Sequence, residues 1–201
     1  MSTSASTPPA APIRRRPRVR SVDARKRLID TTIAMLRVQP FSEVTTRRIT
    51  KQAGLPLSAL SRNFGSLYGL FDAVAKALLD NFTSAHAEYT ALDVLSNPDV
   101  VLRTRLIAWI IGQGGDPVAF RPVGESRSNY IAERQQRLTG ASPRMAIAWA
   151  EIVTFIVEGY AVFSETHRPI GDPAISDAMV VMFELQKSLR DLELQLGWNE
   201  N

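Results

Sequence analysis

The chain has 201 residues, of which 45% are hydrophobic and 22% are charged, the balance of an ordinary globular protein. It contains no cysteine, which excludes a disulfide scaffold and cysteine-based metal or redox chemistry. The net charge of +4 hides an asymmetry: residues 1–66 hold 13 Lys and Arg against 3 Asp and Glu, whereas residues 67–201 hold 11 against 17. A basic N-terminal third is typical of nucleic-acid binding, and the acidic remainder is expected to stay away from DNA.

Residues 1–20 consist mainly of Ser, Thr, Ala and Pro and then of five arginines, Arg14, Arg15, Arg16, Arg18 and Arg20. The segment has no apolar periodicity, so we expect it to be disordered in isolation. It also lacks the apolar stretch of a secretory signal, so a cytoplasmic protein is expected. The arginines predict an arm that follows phosphates or enters a minor groove, and a solubilising or vector-derived tail is the alternative.

The first predicted helix covers about Val22–Val38, with Ser21 as its N-cap. Its inner stripe contains Leu28 and Met35, and Pro40 ends it. Phe41 is expected to anchor the turn that follows.

Residues 45–64 predict two short helices joined by a tight turn. Ile49 and Ala53 face inward on the first of them, and Gly54 ends it because glycine adopts positive φ without strain. Pro56 fits the first position of the second helix, which Leu60 and Phe64 bury against the first. This arrangement is a helix-turn-helix, which makes DNA the first partner to consider.

The outward face of this unit carries the candidate DNA-binding residues. The predicted base readers are Leu57, Ser58 and Ser61 at the start of the second helix. Thr45, Arg47, Arg62 and Asn63 are expected to hold phosphates or cap helix ends, with Thr46 beside them, and Arg48 suits either role. The alternative for the whole face is a solvated polar surface without a partner.

Further helices follow from caps and apolar periodicity, and no strand pattern occurs. Ser66 caps a helix that starts at Leu67, and the pairs Asn97-Pro98, Ser142-Pro143 and Asp172-Pro173 are start signals. The predicted helices are Pro98 to about Gly112, Ser126–Leu138, Pro143–Glu165 and Pro173 to about Leu196, with a loop over Gly112–Gly124. The predicted fold class is therefore all-α.

The apolar stretch Met145–Phe163 could suggest a membrane span. Glu151 and Glu158 lie inside it, and an acid at mid-bilayer costs about 2.5–3.5 kcal/mol on insertion scales. A helix buried in protein is the preferred interpretation, so no membrane partner is expected.

Aromatic and acidic residues of the central helices are candidates for a small-molecule site. The set is Trp109, Phe120, Tyr130, Trp149, Glu151, Phe155 and Tyr160. For the aromatic residues ordinary core packing is an equal alternative, and Glu151 and Glu158 either contact a ligand or pair with Arg103, Arg105 or Arg134. The chain has no phosphate-binding loop, nucleophile elbow or metal motif, so we predict no enzyme activity, metal or cofactor.

The stretch from about Leu28 to Phe71 resembles the TetR-type (tetracycline-repressor-like) transcriptional regulators. The residues that match in register are Asp30, Phe41, Thr45, Arg47, Ile49, Ala53, Gly54, Leu60, Phe64, Ser66 and Leu70. The departures are Pro56 in place of a capping serine, Ser61 in place of an aromatic residue, and Leu67 in place of a lysine. By the resemblance, these losses remove one or two phosphate contacts, and our hypothesis is that the arginine arm compensates for them.

The resemblance implies an arm at 1–20, a three-helix DNA-binding domain at 21–66 and a helical effector-binding and dimerisation domain at 67–201. It also implies a homodimer, whose last two helices pair with those of its mate. A small, largely apolar effector would release this repressor from a near-palindromic operator. The alternatives are an activator or effector-independent regulator, and a dimeric helical ligand-binding protein whose basic arm binds RNA or membranes non-specifically.

Overall fold

The computed structural model describes residues 21–85, 91–116, 120, 127–163 and 165–198, and this part of the chain is helical without a strand. The helices are α1 Ser21–Leu36, α2 Thr46–Gln52, α3 Ser58–Phe64, α4 Leu67–Ala85, α5 Ala91–Ser96, α6 Pro98–Gly112, α7 Arg127–Thr139, α8 Pro143–Phe163, α9 Pro173–Lys187 and α10 Leu189–Gln195. The predicted all-α fold class is confirmed.

The predicted caps Asn97 and Asp172 begin α6 and α9. The Asn97 side chain accepts hydrogen bonds from the backbone N–H groups of Asp99 and Val100, at 2.9 and 3.2 Å. The Asp172 carboxylate accepts from the Ala174 N–H at 2.9 Å, and Pro occupies the first turn of both helices. Each cap satisfies N–H groups that have no partner within their own helix.

Helices α1 to α4 form a head around one hydrophobic core, and α6 completes that core. Leu28, Ile49 and Phe71 have no exposed surface, and Leu106 of α6 lies buried in the same cluster. The Trp109 ring packs edge-on against Phe41 and Phe71, with centroids 6.1 and 6.0 Å apart. An ion pair between Arg37 and Asp99 also joins the end of α1 to the start of α6. The head is therefore fixed to the helix that leads into the rest of the molecule.

The remaining helices form a body centred on α8. This helix packs against α5, α6 and α7, and α10 lies across its start. The Glu193 carboxylate of α10 is fully buried and accepts a hydrogen bond from the Ser142 N–H, at 3.2 Å from each oxygen. Arg190 donates a second bond to Glu193 at 2.7 Å. Glu193 thus ties the C-terminal helix to the beginning of α8.

Several helix bounds differ from the prediction. The last predicted helix, Pro173 to Leu196, is divided at Ser188, whose φ and ψ are −88° and 5°. The Ser188 hydroxyl bonds back to the Glu184 carbonyl at 3.2 Å, a local bond that competes with regular helix geometry. Helix α3 begins at Ser58, so Pro56 lies just before it and accepts a turn bond from the Ala59 N–H at 2.8 Å. The short helix α5 was not predicted.

Candidate nucleic-acid interface

Helices α2 and α3 meet through a tight turn. Gly54 has a φ of +65°, which only glycine adopts without strain, and the Leu55 N–H closes the turn on the Thr50 carbonyl at 2.9 Å. Ile49 and Leu60 are buried between the helices and the head core. The arrangement is a helix-turn-helix whose outer face is open to solvent.

The candidate DNA-binding side chains share this outer face. Thr46 and Asn63 are half-buried, and the exposed members are Thr45, Arg47, Arg48, Leu57, Ser58, Ser61 and Arg62. Leu57 is 53% exposed just before the start of α3. No described residue covers the face, so a partner can reach it without rearrangement of the head.

Some polar side chains of this face form hydrogen bonds within the head, whereas the Arg47 side chain does not bond to any described residue. Arg48 donates to the Glu43 carboxylate at 2.9 Å, and Arg62 donates to the Ser58 carbonyl at 3.1 Å. Asn63 donates to the Ala59 carbonyl at 2.7 Å. Arg47 makes no side-chain hydrogen bond or ion pair with any described residue. Arg47 is therefore the arginine of this face whose charge is most available to a phosphate.

Two residues that support this interface were not predicted from the sequence. Arg25 of α1 donates to the Asn63 carbonyl at 2.7 Å, and Arg27 donates to the Ala53 carbonyl at 2.6 Å. A charged helix face without an obvious partner is normally solvated, so the sequence carried no signal for the two arginines.

The arginines of the predicted arm, Arg14, Arg15, Arg16 and Arg18, lie outside the described residues. Helix α1 begins at Ser21, four residues before Arg25. Four residues of helix span about 6 Å, and Arg25 contacts the end of α3. The point where the arm joins α1 is therefore close to the helix-turn-helix.

The candidate effector residues do not converge on one site among the described side chains. Trp109 and Phe120 pack against the head core. Trp149 packs with Met145 and Leu189 near α10, whereas the Tyr160 hydroxyl donates to the Arg168 carbonyl at 2.9 Å. Glu151 is half-buried, Phe155 is 69% exposed, and the side chain of Tyr130 is outside the description. Arg105, predicted above as one of three alternative partners for the acids of α8, pairs with Glu165 at 3.4 Å.

Helices α8 and α9 carry apolar side chains that the other described residues leave exposed, and we call this surface the C-terminal face. On α8 it contains Ile152, Phe155, Ile156 and Phe163, and on α9 it contains Val181 and Leu185. These side chains are 40–69% exposed in the single chain. By length and composition α8 could also cross a membrane, and 28% of its most apolar window is buried.

No protein-family model and no curated protein matches the chain. Among solved structures it is similar to a TetR variant from Acinetobacter baumannii AYE in complex with minocycline. The two are 17% identical with a TM-score of 0.48, over 84% of this chain and 95% of that one. The family proposed below rests on the helix-turn-helix residues and not on this likeness.

Proposed function

We propose that this protein is a DNA-binding transcriptional regulator of the TetR type. The observation that carries the proposal is the helix-turn-helix of α2 and α3, whose basic and hydroxyl-rich face is exposed. The second helix of such a unit enters the major groove with its N-terminal residues toward the bases. Leu57, Ser58 and Ser61 then read bases, while Arg47 holds a phosphate.

We propose a homodimer formed through the C-terminal face. Large contiguous apolar patches on a chain mark interaction surfaces, and a two-fold dimer buries the same patch on both copies. Gly159 lies within the α8 stripe, between Phe155 and Phe163, where a small residue lets a second helix approach. The half-buried acids Glu151 and Glu158 on the same helix favour a protein partner over lipid. Paired heads then contact operator half-sites about 34–36 Å apart.

The regulatory part of the proposal is a repressor that a small, largely apolar effector releases from DNA. Its support in the body is three buried polar atoms without a hydrogen-bond partner among the described residues, Thr104 Oγ1, Trp149 Nε1 and Thr154 Oγ1. Buried polar groups normally have partners, so these are candidate contacts for an effector. An activator or an effector-independent regulator would use the same interface. Whether it represses or activates, a regulator of this kind acts in the cytoplasm, where its DNA lies.

The interface is tested by selecting operators from a random-sequence duplex library with the full-length protein, followed by footprinting. We expect a protected near-palindrome. Arg47→Ala should weaken binding to every sequence and lower the salt slope by about one, whereas Ser58→Ala should change base preference. Lys76→Ala, which removes an exposed charge from α4, is the matched control and should change neither.

Three results would each overturn a part of the proposal. Sequence-independent retardation without enrichment would instead support a helical ligand-binding protein with a non-specific basic arm. Identical behaviour of Arg47→Ala and Ser58→Ala would contradict the division into phosphate and base contacts. Loss of residues 1–20 without change in affinity or salt slope would remove the arm from the interface.

A further inference from the structure

Two arginines of α1 hold the C-terminal ends of both helices of the helix-turn-helix. Arg27 donates to the Ala53 carbonyl at the end of α2, at 2.6 Å. Arg25 donates to the Asn63 carbonyl in the last turn of α3, at 2.7 Å. The Arg25 guanidinium also lies 4.4 Å from the centroid of the Phe64 ring.

The end of α3 is a place where such a contact matters. The last carbonyls of a helix have no partner within it and carry partial negative charge, so a cation there is stabilising. Helix α3 has only 7 residues, and a helix this short depends on tertiary contacts for its order. Its outer face is exposed, which leaves its inner face and its ends to fix its orientation.

The backbone after α3 is equally constrained. Gly65 has a φ of +74°, and a Cβ atom at Gly69 would lie 2.2 Å from the Phe64 carbonyl oxygen. The first turn of α4 therefore approaches the end of α3 too closely for any side chain at residue 69. Arg25 contacts the same end of α3 from α1.

We propose that Arg25 is a positioning residue, which sets the orientation of α3 through the Asn63 carbonyl and the Phe64 ring and thereby controls sequence-specific DNA binding without contacting DNA. This inference rests on the proposed function, because it assigns α3 as the recognition helix. The competing role for an exposed arginine of the head is a direct phosphate contact. The variant Arg25→Lys distinguishes the two roles. Lysine keeps the positive charge that a phosphate contact needs, but it lacks the planar guanidinium that stacks on Phe64 while it donates to the Asn63 carbonyl.

The first test uses hydrogen–deuterium exchange of the full-length protein without DNA. Arg25→Lys and Arg25→Ala should each raise the exchange rate of amides in α3 severalfold, while α8 is unchanged. Lys26→Ala is the matched control, because the only described residue with which Lys26 pairs is the exposed Asp30. Unchanged exchange of α3 in both Arg25 variants would overturn the positioning role.

The second test compares the duplex selected by the wild-type protein with a random-sequence duplex of equal length. Loss of a charge-assisted hydrogen bond predicts that Arg25→Lys weakens binding to the selected duplex about tenfold, with the salt slope and random-duplex affinity unchanged. A phosphate contact predicts the reverse: Arg25→Lys retains affinity, and Arg25→Ala lowers the slope by about one. Failure of the wild type to select any sequence would refute the proposed function, while the exchange experiment would still decide the positioning role.

Discussion

Apolar side chains are buried in the head but largely exposed on the C-terminal helices. In the head, Leu28, Ile49 and Phe71 are completely buried within one chain, whereas Phe155 and Phe163 of α8 are 69% and 57% exposed. Helix α9 has no buried residue in the described structure. Apolar surface of this extent is costly in water. The difference fits the proposed homodimer, in which a second copy would cover the exposed apolar side chains of the C-terminal helices.

The largest effect is expected from a charge placed on the C-terminal face, because it should weaken dimerisation. We expect Phe155→Asp to weaken dimerisation about a hundredfold or more, because an unpaired carboxylate would have to be buried against the partner. Sedimentation velocity across a concentration series measures the change. Val38→Asp, at an 82% exposed position after α1, is the matched control and should stay dimeric. A folded Phe155→Asp protein with wild-type association would contradict the proposed interface.

The next largest effect should arise where the head meets the body. Trp109→Ala removes the ring that packs against Phe41 and Phe71, and we expect a loss of about 3 kcal/mol in the free energy of unfolding. Urea denaturation measures it. Trp198→Ala, which removes a half-buried ring stacked on Arg144, should cost less. Equal losses in the two variants would show that α6 adds little to the head core.

Local features of the sequence predicted most of the helices, because their signals lie within a few residues. The starts at Pro98, Pro143 and Pro173 depend on an adjacent cap, and the turn at Gly54 depends on its own positive φ. The contacts of Arg25 and of Trp109 join residues that are 38 or more positions apart. Such contacts depend on how the helices pack, which periodicity does not specify.

The candidate sites show the same limit. The outer face of the helix-turn-helix follows from the inner positions of two short helices, so its exposed residues could be predicted. The effector candidates were chosen by residue type, and Trp149 and Phe155 are six positions apart, on different sides of α8. Residue type alone does not show which side of a buried helix faces a cavity.

A smaller, pH-dependent effect is expected at Glu193. The bond with the Ser142 side chain is the main reason that the pKa of this carboxyl lies below its ordinary value, and Arg190 also lowers it. A lowered pKa in the folded state stabilises the protein above the unfolded pKa of about 4.3, and this contribution is lost as the pH falls through the folded value.

Glu193→Gln should therefore reduce the free energy of unfolding at pH 7, and the difference from wild type should shrink below about pH 4.3. Thermal unfolding from pH 3 to pH 7 measures the difference. Glu165→Gln, which removes an exposed acid paired with Arg105, is the control and should lie close to wild type throughout. A Glu193→Gln deficit that does not depend on pH would mean that the carboxylate charge is not what holds α10 on α8.

The smallest expected effect is a loss of head stability that leaves dimerisation unchanged. The Thr45 hydroxyl accepts the Arg48 N–H at 3.4 Å and caps α2, so Thr45→Ala should cost about 1 kcal/mol of head stability. Thr45→Ser keeps the hydroxyl and serves as the control. If the C-terminal face alone joins the copies, the dimerisation constant of both variants should equal that of the wild type, because Thr45 lies in the head and not on that face. A change in association in Thr45→Ala alone would show that the head takes part in the dimer.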